Sequence, residues 1–200
     1  MKVIFVRHGE TDGNLRKVYQ GRSEVSLNET GRKQAEELGG VLKDYNLTKV
    51  YSSPQKRCRE TLEGILKSGE INPSETVYSD NLREIDFGRW ENMTCGEIEK
   101  VFPGEWRAFI ENFEEFSFPE GEAFRDFYFR CTCFLEELKQ NREHERILVV
   151  THGGVIRGLF SSILSLGTKG FYSINPKHGA YIEINLWGDA FEIEYVNRNK

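Results

Sequence analysis

Lys2-Val3-Ile4-Phe5-Val6-Arg7-His8-Gly9-Glu10-Thr11 opens the chain as a short apolar run that stops at an arginine, a histidine and a glycine. A second run has the same shape: Ile147-Leu148-Val149-Val150-Thr151-His152-Gly153-Gly154. Apolar stretches of this length without alternation read as strands buried on both faces, the pattern of parallel sheets. Ligands of open α/β sheets bind beyond the carboxyl ends of such strands. Two imidazoles at two such ends, one beside an arginine, predict a single site that receives an anion.

Composition narrows what that anion belongs to. The chain has 200 residues and a net charge of −5. It offers no basic stripe to meet a nucleic acid or an acidic membrane, so any phosphate site is local and built from a few groups. The four cysteines (Cys58, Cys95, Cys131, Cys133) lack metal-ligand spacing and read as free thiols in a reducing compartment. Cys131 and Cys133 lie two apart on an expected helix and do not share a face. No leader-like segment or apolar span is expected, which points to a cytoplasmic protein with no membrane partner. An oligomer is compatible with the sequence, which does not specify one.

Neither repeats nor linkers interrupt residues 1–200, and a single domain is expected. After the first strand comes a loop, then a helix over about residues 29–45 capped by Asn28, with Ala35, Leu38, Leu42 and Tyr45 at helical spacing. Lys49-Val50-Tyr51 is a short strand, and Ser53-Pro54 predicts a helix start, serine as cap and proline at the first position. Thr76-Val77-Tyr78 is a weaker strand, residues 82–90 are irregular, and residues 94–102 are helical. A long helix is expected over about residues 122–140 with Phe124, Phe127, Cys131, Phe134 or Leu135, and Leu138 inward. Val155 to Leu166 is an apolar helix. Residues 181–186 and 191–196 alternate about Trp187-Gly188-Asp189 as an edge hairpin. Strands alternating with helices give an α/β fold, a three-layer α/β/α sandwich whose mostly parallel sheet has an antiparallel edge.

Metal-free phosphoryl transfer needs a nucleophile, several donors around the phosphoryl oxygens and an acid for the leaving group. Arg7 offers a planar fork of donors beside His8, and Gly9 permits close backbone approach. Arg57 falls in the first turn of its helix, where its charge reinforces an anion site. Gly153 and Gly154 open a helix whose amides face whatever His152 touches. No carboxylate cluster accompanies the histidines, so no metal and no cofactor is expected. Glu10 is a candidate for the site entrance or a solvated charge, and His144 lies in a charged, exposed connection. His178 sits in a loop before the hairpin, a position from which substrate contact is possible. Arg157, one turn into its helix, is read as a structural pair rather than a phosphate ligand.

These segments resemble the histidine phosphatase superfamily, the phosphoglycerate mutase-like proteins. The resemblance runs through Arg7-His8-Gly9-Glu10-Thr11 with Asn14 behind it, Tyr19-Gln20-Gly21-Arg22, and residues 27–35. It continues in Ser52-Ser53-Pro54-Gln55-Lys56-Arg57, in Leu82-Arg83-Glu84-Ile85-Asp86-Phe87-Gly88-Arg89-Trp90-Glu91, and around His152 and Gly153. It implies a phosphoglycerate mutase-like sandwich and catalysis through a phosphohistidine on His8. Arg7, Arg57 and His152 would then grip the phosphoryl group, with Asn14, Gln20, Gly21 and Gly153 completing the binding set. Glu84 would protonate the leaving oxygen and later take a proton from the attacking water.

The substrate is expected to be a small phosphomonoester. Mutases of this kind are usually longer, with a basic insertion after the acid-bearing loop. Here residues 101–124 carry Glu105, Glu111, Glu114, Glu115, Glu120 and Glu122 against Arg107 alone, poor company for a second anionic group. The same stretch carries Phe102, Trp106, Phe109, Phe113, Phe116 and Phe118, which form either a plain helix face or a surface for a flat apolar body over the substrate. Pro119-Glu120-Gly121-Glu122-Ala123 resembles an element of α-ribazole phosphatases of cobalamin assembly, with alanine where serine is usual, and Asn92 departs from a usual glycine. The reading is therefore an α-ribazole 5'-phosphate phosphatase, ahead of a broad-specificity phosphatase, a mutase and a non-catalytic phospho-ligand binder.

Overall fold

The first strand, β1 (Lys2–Arg7), sits inside a six-stranded sheet. It pairs in parallel with β4 (Arg146–Thr151) and antiparallel with β5 (Tyr181–Trp187). With β2 (Lys49–Ser52), β3 (Glu75–Tyr78) and β6 (Ala190–Val196), the order is β3-β2-β4-β1-β5-β6. The structure, a computed structural model, describes residues 1–141 and 145–196; His144 lies outside them. Strands β1 to β4 are mutually parallel and β5–β6 form the antiparallel edge, as the sequence predicts.

Both faces of β1 are covered because its side chains are apolar on both sides. Ile4 and Val6 join Val50, Leu148 and Val150 under α2 (Glu29–Leu42) and α3 (Lys56–Ser68). Val3 and Phe5 join Tyr51, Ile147 and Val149 beneath α6 (Phe124–Lys139) and α7 (Gly153–Ile163). Each fully buried side chain of this kind contributes roughly 1.5–3 kcal/mol. On α6 the buried stripe is Phe124, Phe127, Cys131, Phe134, Leu135 and Leu138, the stripe expected with both alternatives at its third turn. Cys131 is buried, Cys133 half-buried, and all four cysteines are free.

Several boundaries differ from expectation, each for a local reason. The helix after Pro54 starts at Lys56, with Gln55 as its cap. Ser53 is still extending the β2 ladder, its N–H donating to Val150 O at 2.9 Å, so it does not cap. A short helix, α1 (Asp12–Arg16), replaces the loop expected after His8, because Thr11 and Asn14 form a reciprocal capping box. The helix from Glu29 ends at Leu42 and tightens into a 3₁₀ turn over Lys43–Tyr45, closed by Asn46 in the left-handed region. The long helix starts at Phe124, since Ala123 is extended, with ψ 141, and bridges antiparallel to Ser117. Helix α7 starts at Gly153, directly after its cap His152, and ends at Ile163 before Ser165 turns to φ 55.

Residues 95–124 make an excursion over one end of the sheet. It contains α4 (Cys95–Val101), capped by Thr94 with Glu97, and α5 (Pro103–Glu111). Fully buried Trp90 anchors it, with the rings of Phe109, Phe116 and Phe118 5.2–5.5 Å away. Phe102 and Phe116 belong to this buried packing, the plain helix-face reading. Phe109 and Phe118 do both: they pack on Trp90 and line the cavity described next. No helix among the described residues is long and apolar enough to cross a membrane.

Candidate active site

Strands β1, β4 and β2 lie side by side in parallel, so their carboxyl ends open at one edge. Arg7 stands opposite Thr151 and Ser52 opposite Val150. His8 and His152 therefore emerge together, with ring centres 5.2 Å apart and edge to face.

His8 is 4% exposed. Its Nδ1 lies 2.7 Å from Gly9 O, a carbonyl that can only accept, so Nδ1 carries the hydrogen and Nε2 keeps its lone pair. Gly9 is required here, because a Cβ would stand 2.5 Å from Gly31 O. Burial, then the charges of Arg57 and Arg7, hold the imidazole well below its ordinary pKa and thus neutral. A neutral, oriented imidazole is a competent nucleophile.

His152 is fully buried, and its two nitrogens are differently engaged. Nδ1 accepts from Arg57 Nε at 3.2 Å, and Nε2 donates to Ser53 Oγ at 2.9 Å. Arg57 is itself fully buried, and its guanidinium donates to Ser23 O at 2.9 Å, Gly21 O at 2.9 Å and Gln20 O at 3.2 Å. The pair ties the 20–23 loop to the sheet edge. Burial, followed by Arg57, also pushes His152 well below its ordinary pKa.

Glu84 lines the cavity from the 82–90 segment. Its carboxylate accepts from Gly154 N at 3.0 Å and from Ile85 N at 3.1 Å. A Cβ on Gly154 would come 2.3 Å from Glu84 Oε1, so a larger residue here would push the carboxylate out of place. The Gly154 amide therefore serves Glu84, where the sequence reading turned the amides of this turn toward the ligand of His152. Asn14 Oδ1 accepts from Thr11 N at 3.0 Å, which leaves the amide's N–H groups as its cavity-side chemistry.

A cavity of about 400 Å³ collects Arg7, His8, Asn14, Gln20, Glu84 and Gly153. Arg57, His152 and Gly21, which the sequence reading assigned to the same site, are not among its lining residues; His152 connects to it through the His8 ring, and Arg57 through His152. The cavity's far wall is aromatic, with Tyr19, Phe87, Phe118 and Tyr172, and Arg157 and His178 also line it. Arg157 is paired as expected, donating to Ile174 O at 3.2 Å. Glu10 is not among the lining residues and accepts from Asn28 Nδ2 at 3.0 Å. Among the described residues no cluster of His, Cys, Asp or Glu could hold a metal ion.

Three supporting residues escape sequence reasoning. Buried Gln55 accepts from Glu84 N at 2.9 Å and donates to Gly21 O at 2.7 Å, joining the acid to the 20–23 loop. The Glu91 carboxylate accepts from Gly21 N at 2.9 Å and Arg22 N at 2.8 Å. Arg130, on α6, pairs with Glu122 at 2.7 Å and donates to Glu84 O at 3.0 Å, Asn81 O at 3.0 Å and Arg83 O. Its one visible signal is a charge set beside the apolar stripe of a buried helix.

Residues 3–199 match the profile of the histidine phosphatase superfamily (branch 1), and the chain belongs to that family. It is an enzyme, a histidine phosphatase. It is 34% identical over 203 residues to phosphoglycerate mutase-like protein 4 of Arabidopsis thaliana, covering 96% of this chain and 87% of that one. Phosphoserine phosphatase 1 of Hydrogenobacter thermophilus is 31% identical, with 93% and 87% covered. Among solved structures, the α-ribazole phosphatase of Shigella flexneri shares the fold with a TM-score of 0.91 at 23% identity, over 99% of this chain and 96% of that one.

Proposed function

We propose that the protein hydrolyses a small phosphomonoester through a phosphohistidine on His8 Nε2, without metal or cofactor, in the cytoplasm. The observation that carries this reading is the His8 ring itself: Nδ1 is fixed on Gly9 O, and Nε2 is left free in a cavity shared with Arg7 and Glu84. In the first step the Nε2 lone pair forms a bond to phosphorus as the P–O ester bond breaks. Glu84 gives its proton to the departing oxygen. In the second step water attacks phosphorus, its proton passes to Glu84, the P–N bond breaks and inorganic phosphate leaves. Arg7, with Asn14, Gln20 and Gly153, holds the phosphoryl oxygens, while the Arg57 guanidinium adds fixed positive potential and neutral His152 keeps Arg57 oriented. Preorganised charge of this kind is the main lever on phosphoryl transfer, and here guanidinium groups supply it.

The substrate we favour is α-ribazole 5'-phosphate, with residues 102–124 of a single 1–200 domain selecting the ester's body. Support comes from the aromatic wall of the cavity, which suits a flat apolar group; the glutamates of the excursion do not line the cavity and add nothing for or against a second anion. One observation favours phosphoserine instead. Lys17 and Arg157 both line the cavity and could receive a carboxylate, and a phosphoserine phosphatase is among the relatives. Measuring kcat/KM on α-ribazole 5'-phosphate, O-phosphoserine and p-nitrophenyl phosphate decides between them. The expected order places α-ribazole 5'-phosphate at least about tenfold above both, the scale of one well-placed aromatic contact. A value no better than that for p-nitrophenyl phosphate overturns the assignment, and a lead for phosphoserine replaces it.

A further inference from the structure

We infer that His178 is a third histidine of the phosphoryl pocket, whose Nε2–H donates to a non-bridging oxygen of the transferring group. The inference rests on the phosphohistidine reading and adds a substrate contact to it. His178 reaches the site from the 176–180 segment, which is stitched to the end of β1. Arg7 Nη1 donates to Pro176 O at 2.8 Å, Arg7 N to Ala180 O at 3.4 Å, and Gly179 N to Arg7 O at 3.3 Å. Gly179 takes φ 62, with the Gln34 side chain packed where a Cβ would go, so the turn is fixed. The residue before it is thereby carried alongside the nucleophile: the His8 and His178 ring centres are 5.5 Å apart.

Among the described residues, buried side-chain polar atoms without a hydrogen-bond partner include Arg7 Nε and His178 Nε2, both on residues that line this cavity. An unsatisfied buried donor costs about 1–3 kcal/mol, and a folded chain rarely tolerates two at one place without a ligand to meet them. A phosphoryl group brings three acceptor oxygens within about 3 Å of its surroundings. Arg7 beside His8 already implies such an anion, and His178 lines the same cavity. Burial, with Arg7 and Lys177, lowers the His178 pKa to about 3. The ring is therefore neutral in the free enzyme, offering a donor without a charge that would repel the arginines.

The test compares His178→Ala, His178→Phe and His178→Gln with the parent, measuring inhibition by vanadate, kcat and KM on p-nitrophenyl phosphate, and Tm. Loss of one hydrogen bond to a charged group weakens vanadate and lowers kcat/KM by roughly 10–100-fold. His178→Gln keeps a donor and recovers most of both, whereas His178→Phe fills the space and recovers neither. Should His178→Ala fail to fold, the Phe and Gln pair carries the comparison at matched Tm. Vanadate inhibition within about threefold of the parent in His178→Ala or His178→Phe overturns the inference, as does a Gln variant no better than Phe. A parent that forms no phosphohistidine contradicts the proposed mechanism instead, so the two failures are distinguishable.

Discussion

Three histidines stand at one sheet edge, and all three are held neutral by their surroundings. For His8 this is functional, since an imidazolium has no lone pair to offer phosphorus. It also has a consequence for stability. Each folded-state pKa lies below the unfolded value near 6.5, so below about pH 6.5 the unfolded chain binds protons that the folded chain refuses. Stability contributed by these groups is therefore complete above that pH and is lost as pH falls, by at most about 1.4 kcal/mol per pH unit for each histidine. The urea midpoint should fall steadily from pH 7 to pH 5, and less steeply in His178→Gln. A midpoint flat across that range would contradict the buried, neutral state of these rings. At this scale the placement of Arg7, His8 and His152 at strand ends was legible in short local patterns, whereas Glu84 entered only through the family resemblance, its irregular segment having no period of its own. Gln55 and Arg130 were not legible, because their partners lie 29 and 34 residues or more away, at Glu84 and Gly21 for one and at Asn81 to Glu84 for the other.

The elements that matter most to the site are α6 and the 81–84 segment, which Arg130 holds together. Its guanidinium also lies 4.7 Å from the Phe127 ring and pairs with Glu122, both groups being mostly buried. Removing one partner of such a pair costs about 3–5 kcal/mol, because the other charge is left buried and alone. Arg130→Met should therefore unfold at a clearly lower urea concentration and lose kcat through a loosened Glu84, with KM changed far less. A variant with the parent's midpoint and kcat would show that the clamp is dispensable. Among the elements, β1 and β4 were legible because a continuous apolar run admits few other readings. Helix α1 was missed because five residues are too few to show a period, and its cap uses Asn14 where glutamate is the familiar sign. The start of α3 was misplaced because Ser53-Pro54 has the form of a helix start while a ladder bond to β4 keeps Ser53 extended.

Across the whole molecule, one sheet does the positioning. Parallel pairing of β1, β4 and β2 aligns three strand ends, and layers of helix on both faces hold them level. The alternation of strands and helices made this architecture readable before any coordinate. The excursion over residues 95–124 was only half readable, because aromatic spacing cannot tell a ring that packs inward from one that packs inward and also walls a cavity, as Phe109 and Phe118 do. In the proposed reaction this assembly makes His8 a transient phosphoryl carrier. Acid-free quenching of the enzyme during turnover of a radiolabelled phosphomonoester, with chelator present, tests it most directly. An acid-labile, alkali-stable label is expected on His8, formed at full rate despite the chelator and absent from His8→Ala, which should also lose turnover. Label on another residue, or unimpaired hydrolysis by His8→Ala, would contradict it.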